Sequence, residues 1–328
     1  MRAAWFERCG PPHEVLRVGH RETPSPGIGE VLVRVAVSGV NPHDTKKRAG
    51  WLSRALPAAV VIPHSDGAGT IVEAGVGVPS ARIGERVWFF RADAPAPGAG
   101  AAAEYAVVAA DHAVPLPDHL GFEAGACLGV PALTAHRAVF ADGPVTGQTI
   151  LVTGGAGAVA AYAIQLAVWN GARVIATASS TEKAERAKAL GAESTVDYRT
   201  GDVVRTVMDL TGGTGVDRIV EVDFGANLAA SKAVVKPNGV IAAYSSTRVR
   251  EPVLPYYDFA MKGITLHFVQ GLLLTPAMRE AGLRDLSVLL RQDRLTHPIG
   301  RVFALERIAD AHVALEGGAV IGKVLVRT

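Results

Sequence analysis

A glycine-punctuated turn between two apolar runs does most to limit what this chain can fold into. Residues 150–153, Ile-Leu-Val-Thr, form a short β-rich run of the kind buried in a parallel sheet. Gly154, Gly155 and Gly157 follow directly, and residues 158–169 read as a helix rich in Ala, Ile and Leu. Asn170 and Gly171 stop that helix, and residues 173–178 give a second buried strand. Strand, glycine turn, helix and strand make one βαβ unit. Glycines let such a turn approach a pyrophosphate, and the helix N-terminus offers free N–H groups and the positive end of a dipole. The third glycine of the usual fingerprint would fall at Ala160. A methyl fits there if the helix stands slightly farther from the strand.

The 328 residues suit two domains. The first third holds short strands between Gly/Pro turns. Residues 30–40 alternate with period two, a short helix starts at Asn41-Pro42, a turn feeds a strand within 58–73, and turn-and-strand runs recur at 84–88 and 104–108. This pattern predicts an all-β domain of barrel type. Residues 91–103, rich in Ala, Pro and Gly, read as a mobile loop. The character changes near residue 121. Residues 123–140 read as a helix interrupted at Gly129 and Pro131. From residue 148, strands at 150–153, 173–178, 194–196, 218–222, 239–244 and 265–269 alternate with helices at 158–170, 181–190, 202–211 and 227–235. Such alternation predicts a doubly wound parallel sheet. A further helix follows at 276–291, and residues 299–328 return to short strands around a helix at 305–316, expected to rejoin the first domain.

Net charge is +2, too small to imply a nucleic-acid or membrane partner. No apolar run reaches the roughly 18 residues of a membrane span, and the N-terminus shows no signal-peptide core. The two cysteines, Cys9 and Cys127, are too few and too far apart for a disulfide scaffold or a four-Cys zinc lobe. A cytoplasmic protein is expected.

Selection between nucleotides rests on the tip of the second strand, where NAD sites place an acidic residue against the ribose 2′-OH. Here the tip carries Ser179 and Ser180; Glu182 lies beyond it, in the first turn of the next helix, where carboxylates occur for dipole reasons alone. Lys183 can pair with a 2′-phosphate, the alternative being a solvated helix lysine. Hydroxyls plus a cation favour NADPH.

With these motifs in place the chain resembles the zeta-crystallin-like NADPH:quinone oxidoreductases, a zinc-free branch of the medium-chain dehydrogenase/reductase superfamily, over nearly its whole length. The resemblance rests on Val40-Asn-Pro-His-Asp-Thr45, Gly129-Val-Pro-Ala-Leu-Thr-Ala-His-Arg-Ala138, the glycine turn with Gln165-Leu-Ala167, Leu190-Gly-Ala192, Gly239-Val-Ile241 and Gly322-Lys-Val-Leu325. It implies an α/β architecture: a Rossmann doubly wound parallel sheet inserted in a GroES-like β-barrel catalytic domain, with the active site in the cleft between them. The expected division is 1–122, 123–270 and 271–328. By position it implies that Ala156, Gly157, Ala158 and Val159 form the pyrophosphate turn. Ser179, Lys183 and Tyr198 fall at the 2′-phosphate and adenine end, and Asn41 and Thr134 near the nicotinamide, as the catalytic pair. Asn227, Tyr244, Ser245, Val269 and Gln270 match later cofactor contacts, and Lys323 a lysine near the site. Trp51 stands where the family often has tyrosine, and residues 91–103 are shortened; both bear on substrate shape.

Zinc-dependent members of the superfamily use Cys, His and carboxylate ligands. The cysteine position reads Gly39-Val-Asn41, and the usual Gly-His-Glu segment reads Pro63-His-Ser-Asp66. His64 and Asp66 remain as possible ligands with no thiolate in the pattern, and Cys127 reads as a small buried hydrophobe. No metal is expected. Without a Lewis acid the chemistry suits an acceptor that is already electrophilic: a quinone or an α,β-unsaturated carbonyl taking hydride from NADPH. An enoyl-thioester reductase, with Arg248 and Arg250 at a basic mouth, and a non-catalytic nucleotide-binding relative are the alternatives. In the family the strand equivalent to residues 263–270 pairs across a two-fold axis, which implies a homodimer.

Overall fold

A computed structural model describes residues 1–51 and 53–328. They form two compact units, Met1–Val130 with His297–Thr328, and Pro131–Thr296. Both divisions fall later than the 122/123 and 270/271 read from sequence. The second shift has a packing cause. Helix Pro276–Arg291 lies against the second unit, where a Cβ on Gly282 would stand 2.9 Å from the Leu133 side chain. Asp285 bonds His136 at 2.8 Å, and Gln165 holds the backbone of Thr296 through two hydrogen bonds, 2.7 and 3.0 Å.

The first unit is built on strand Glu30–Val40. It pairs antiparallel with Asp66–Ala74 along one edge, and with Tyr105–Ala109 and Lys323–Arg327 at the two ends of the other. The sheet continues through Arg86–Phe89 and Ala113–Pro115 on one side and Ile299–Ala304 on the other. Val31, Val33, Val35, Ile71, Val87 and Phe89 fill its interior. Irregular register between Leu32 and Val33, and between Val35 and Val37, breaks the simple alternation and bends the strand. The register puts Gly39 opposite Asp66 on one side and opposite Leu325 on the other. Asn41, two residues on, therefore leaves the sheet beside Asp66 and Lys323.

Residues 91–103, read as a mobile loop from their composition, are packed tightly at both ends, with Ala94, Ala96 and Pro97 exposed between them. Ala92, Ala101, Ala102 and Ala103 are fully buried. Ala101 N–H donates to the His64 carbonyl at 2.8 Å, Ala102 N–H to Pro63 at 3.0 Å, and Ala4 N–H to Ala102 at 2.8 Å. Small side chains here let backbone pack on backbone.

The second unit carries six parallel strands in the order Ser194–Asp197, Arg173–Ala178, Thr149–Val152, Val216–Glu221, Val235–Ala243, Thr265–Phe268. Winding reverses between Thr149–Val152 and Val216–Glu221, the switch point where such sheets open a ligand crevice at their carboxyl ends. Helix Gly129–Phe140 runs through Pro131 rather than breaking there. A proline in the first turn forfeits no helical hydrogen bond; the break lies instead at Leu128, before Gly129 at φ +41°. Among the described residues no helix is long and apolar enough to cross a membrane.

Candidate functional site

Thr149–Val152 delivers the chain into the glycine turn at the switch point. Gly154 sits at φ +66°, a conformation that side-chain-bearing residues avoid. Its N–H donates to Thr177 Oγ1 at 3.0 Å, and Gly155 N–H donates to the Thr177 carbonyl at 2.8 Å, which ties the turn to the second strand. A Cβ on Gly155 would come within 2.9 Å of Ala176 Cβ and 3.1 Å of Ala187 Cβ. Gly157 is the N-cap of helix Ala158–Trp169 and brings no capping side chain. The N–H groups of the first turn, from Ala158 and Val159 onward, therefore have no helical acceptor. This is the geometry of an anion cradle, and Ala156, Gly157, Ala158 and Val159 all lie on it. Ala160 is fully buried, so the helix packs on its strand without a third glycine.

At the tip of the second strand, Tyr198 N–H bonds the Ala178 carbonyl at 3.1 Å, which brings Tyr198, exposed, beside Ser179. Ser180 caps helix Thr181–Ala189 by accepting from Lys183 N–H. Lys183 thus starts one turn from the strand tip, next to Ser179.

Across the switch point the floor is a carboxylate that the sequence reading missed. Glu221, fully buried at the end of its strand, accepts four hydrogen bonds. Thr153 Oγ1 (3.0 Å), Asp223 N–H (2.7 Å) and Asn227 Nδ2 (2.7 Å) reach Oε1, and Ser231 Oγ (3.0 Å) reaches Oε2. The signal was present: an acidic residue among the branched apolar residues of the strand run 218–222. Tyr244 N–H donates to the Glu221 carbonyl at 3.0 Å, and the Ser245 carbonyl accepts from Phe224 N–H at 2.9 Å. Burial, with the Glu221 charge, pushes the Tyr244 phenol above its ordinary range. Val269 N–H donates to Ala243 at 2.8 Å, leaving Gln270 exposed just beyond the strand ends. Asp223 accepts from Thr247 N–H (2.9 Å), Arg248 N–H (3.2 Å) and Arg248 Nε (2.7 Å), which folds that loop down. Thr134 is buried in helix Gly129–Phe140.

The first unit holds a separate polar cluster. Asn41 is the N-cap of helix Pro42–Ala49, and its N–H donates to Asp44 Oδ2 at 2.8 Å. Asn41 Nδ2 donates to Asp66 Oδ2 at 2.7 Å, Lys323 Nζ donates to the same oxygen at 3.1 Å, and Lys323 also donates to Asn41 Oδ1. Val130 N–H completes Asp66 at Oδ1, 3.0 Å. The backbone is shaped around these groups. A Cβ on Gly39 would stand 2.8 Å from Lys323 Cε, and one on Gly129 2.2 Å from Asp66 Oδ1. Burial raises the Asp66 carboxyl, opposed by Lys323, Asn41 and Val130. Burial also raises Asp44 to about 7, opposed by the Asn41 hydrogen bond.

His64 does not face this cluster with a free nitrogen. Its Nδ1 meets Ser38 Oγ at 2.9 Å and its Nε2 meets His312 Nε2 at 3.1 Å, all buried. Burial drives its imidazole well below the usual range, with His312 adding to the effect. Cys127 is fully buried, and desolvation pushes its thiol up to about 12.

A family profile described as "Zinc-binding dehydrogenase" matches residues 158–283, and one described as "Alcohol dehydrogenase GroES-like domain" matches residues 27–118. Human quinone oxidoreductase is 30% identical over 334 aligned residues, covering 98% of this chain and 95% of that protein. A 2-haloacrylate reductase from Burkholderia sp is 28% identical, covering 99% of this chain and 98% of the relative. A mycobacterial structure in complex with NADPH superposes with TM-score 0.88 at 29% identity, covering 100% of both chains.

The first profile's description implies zinc, and the residues here do not suit it. Asp66 is already paired with the Lys323 ammonium, and Gly39 and Asn41 bring no thiolate. Both His64 nitrogens are engaged elsewhere. A cation centred on Asp66 would meet a resident positive charge and too few donors.

Proposed function

This chain belongs to the zeta-crystallin-like quinone oxidoreductases of the medium-chain dehydrogenase/reductase superfamily, and on that premise we propose that it transfers hydride from NADPH to a quinone or an α,β-unsaturated carbonyl without a metal. The observation that carries the reading is the Lys323 ammonium, fixed by Asn41 and Asp66 where metal ligands would converge. Alcohol oxidation calls for a Lewis acid on the alcohol oxygen; an electrophilic acceptor needs position and a polar contact. NADPH, when bound, supplies the hydride. The mycobacterial relative solved with NADPH supports the choice of cofactor, and the Burkholderia relative, a haloacrylate reductase by name, supports an activated alkene.

In this proposal the turn at Gly154–Gly157 binds the pyrophosphate, and Ser179, Lys183 and Tyr198 take the 2′-phosphate end. An ammonium has three N–H donors. Asn41 and Asp66 accept two from Lys323, and the third stabilises the oxyanion that forms on the acceptor. Asn41 and Thr134 face the nicotinamide. A second copy pairs along Thr265–Phe268, the edge strand of the parallel sheet, where Phe268 is 76% exposed. Arg248, a candidate for a thioester-binding mouth, is instead spent on Asp223.

The test is NADPH oxidation with a quinone, a short enone and a crotonyl thioester, chelator present. Turnover of quinone or enone that survives chelation supports the proposal. Turnover of the thioester alone transfers it to the enoyl-thioester reductases, and loss of all turnover with chelator refutes the metal-free reading.

A further inference from the structure

Four donors converge on Glu221, and the one from Asn227 has a directional consequence. Carboxylate oxygens accept, so the amide nitrogen of Asn227 must face Glu221, as it does at 2.7 Å. The orientation of an asparagine amide is otherwise ambiguous; here the chemistry of the partner decides it. The amide oxygen, Oδ1, therefore points away from the floor carboxylate, and it accepts no hydrogen bond from the described residues. Asn227 stands in the first turn of helix Phe224–Val234, immediately after the fourth strand at the switch point, and is half-buried. An unused acceptor on a locked side chain, at the carboxyl end of a switch-point strand, is directed at a ligand that donates.

The sheet says which part of the ligand. A doubly wound dinucleotide site has two mononucleotide halves. The first three strands in sequence, with the glycine turn and Ser179, belong to the adenosine half. Val216–Glu221 and the helix after it open the other half. We propose that Glu221 is a positioning residue: it locks the Asn227 amide so that Oδ1 accepts a hydroxyl or amide N–H from the nicotinamide half of the cofactor. Thr153 joins the device. Its hydroxyl donates to Glu221 and accepts from Val222 N–H at 2.8 Å, which fastens the end of the first strand to the fourth. The assignment rests on the NADPH reading given above.

The conservative variant follows from the same geometry. In Glu221→Gln the amide oxygen can keep the Oε1 place, with its three donors, while the amide nitrogen donates to Ser231 Oγ, a hydroxyl that can accept. NADPH affinity should stay within about twofold of wild type. Glu221→Met removes the acceptor, and Asn227→Ala removes the oxygen it presents. Each should weaken NADPH by about tenfold, the worth of one well-made hydrogen bond. The double variant should be no weaker than either single one, because one residue acts through the other.

The measurement is equilibrium titration of wild type, Glu221→Gln, Glu221→Met, Asn227→Ala and the double variant, by NADPH fluorescence and by calorimetry with 2′,5′-ADP. The adenosine-half probe should bind all five alike. Additive losses, an equal loss of 2′,5′-ADP, failure of Glu221→Gln to bind NADPH, or an Asn227→Ala variant with wild-type affinity each overturns the proposal. If Glu221→Met fails to fold, Glu221→Ala takes its place with the same expected loss of NADPH and unchanged 2′,5′-ADP binding. A wild type that binds 2′,5′-ADP or NADH but not NADPH refutes the NADPH reading, and this assignment with it. Wild-type NADPH binding with the wrong pattern in the variants refutes this assignment only.

Discussion

Replacing Lys323 with methionine should make the stability of the protein fall with rising pH more steeply than it does in the parent. Lys323 and Asp66 form a buried pair, with side chains 2% and 1% exposed. Methionine keeps the stem and deletes the charge, leaving Asp66 with the Asn41 and Val130 hydrogen bonds alone. Breaking one side of a buried pair typically costs about 3–5 kcal/mol. The cheaper route is to neutralise Asp66. Keeping a carboxyl with an ordinary value of 3.8 protonated costs about 1.4 kcal/mol per pH unit above it, hence about 1.6 kcal/mol at pH 5 and about 4.4 kcal/mol at pH 7. Burial already raises Asp66 in the folded state, and without Lys323 it rises further. A carboxyl raised on folding makes the native state bind more protons than the unfolded one, so stability is present at low pH and lost as pH climbs through the folded value. Urea unfolding at pH 5 and pH 7, followed by tryptophan fluorescence, should show Lys323→Met destabilised by about 2 kcal/mol at the lower pH and about 4 kcal/mol at the higher. Adding Asp66→Asn should abolish the difference between the two pH values. Equal destabilisation at both, or a gain in stability from the apolar side chain, would refute the reasoning.

Three further predictions rest on other parts of the structure. Lys183→Ala should weaken NADPH by about tenfold or more while leaving NADH nearly unchanged, since the lost partner is a phosphate; comparable losses in paired titrations would show that Lys183 does not touch the 2′-phosphate. Gly155→Val should abolish dinucleotide binding and lower the Tm, because even a Cβ would crowd Ala176 at 2.9 Å and Ala187 at 3.1 Å; wild-type NADPH affinity in that variant would contradict the assigned turn. Phe268→Lys should yield monomers at micromolar concentration in sedimentation velocity, where wild type should sediment as a dimer; an unchanged dimer would put the interface elsewhere.

What the sequence made legible follows from how local each signal is. The βαβ unit at residues 149–178 depends on neighbours in sequence, and strand Arg173–Ala178 and helices Ala158–Trp169 and Pro276–Arg291 stand close to where periodicity and stop signals put them. The helix broken at Pro131 was a misreading because first-turn position outweighs proline's breaking tendency, and only the backbone reveals which turn it occupies. Residues 91–103 misled because the same small residues serve a loose loop and a tightly packed one. Their burial comes from Ala3, Pro63 and His64, far away in sequence. The clusters show the same limit. Asn41 and Lys323 were legible through motifs. Their meeting with Asp66 depends on three strands aligning, which no short window contains. Glu221 was overlooked because a lone acidic residue at a strand end carries no pattern until Thr153, Asn227 and Ser231 are folded onto it.

The central claim is direct hydride transfer from NADPH to an electrophilic acceptor, and isotope tracing tests it most directly. The protein would be given NADPH carrying deuterium at both C4 positions, a short cyclic enone and chelator, and the product examined by mass spectrometry and proton NMR. Direct transfer places one deuterium on the carbon β to the carbonyl and a solvent-derived hydrogen on the α carbon. A β carbon bearing only solvent hydrogen, or no oxidation of NADPH by either the enone or a quinone, would contradict it.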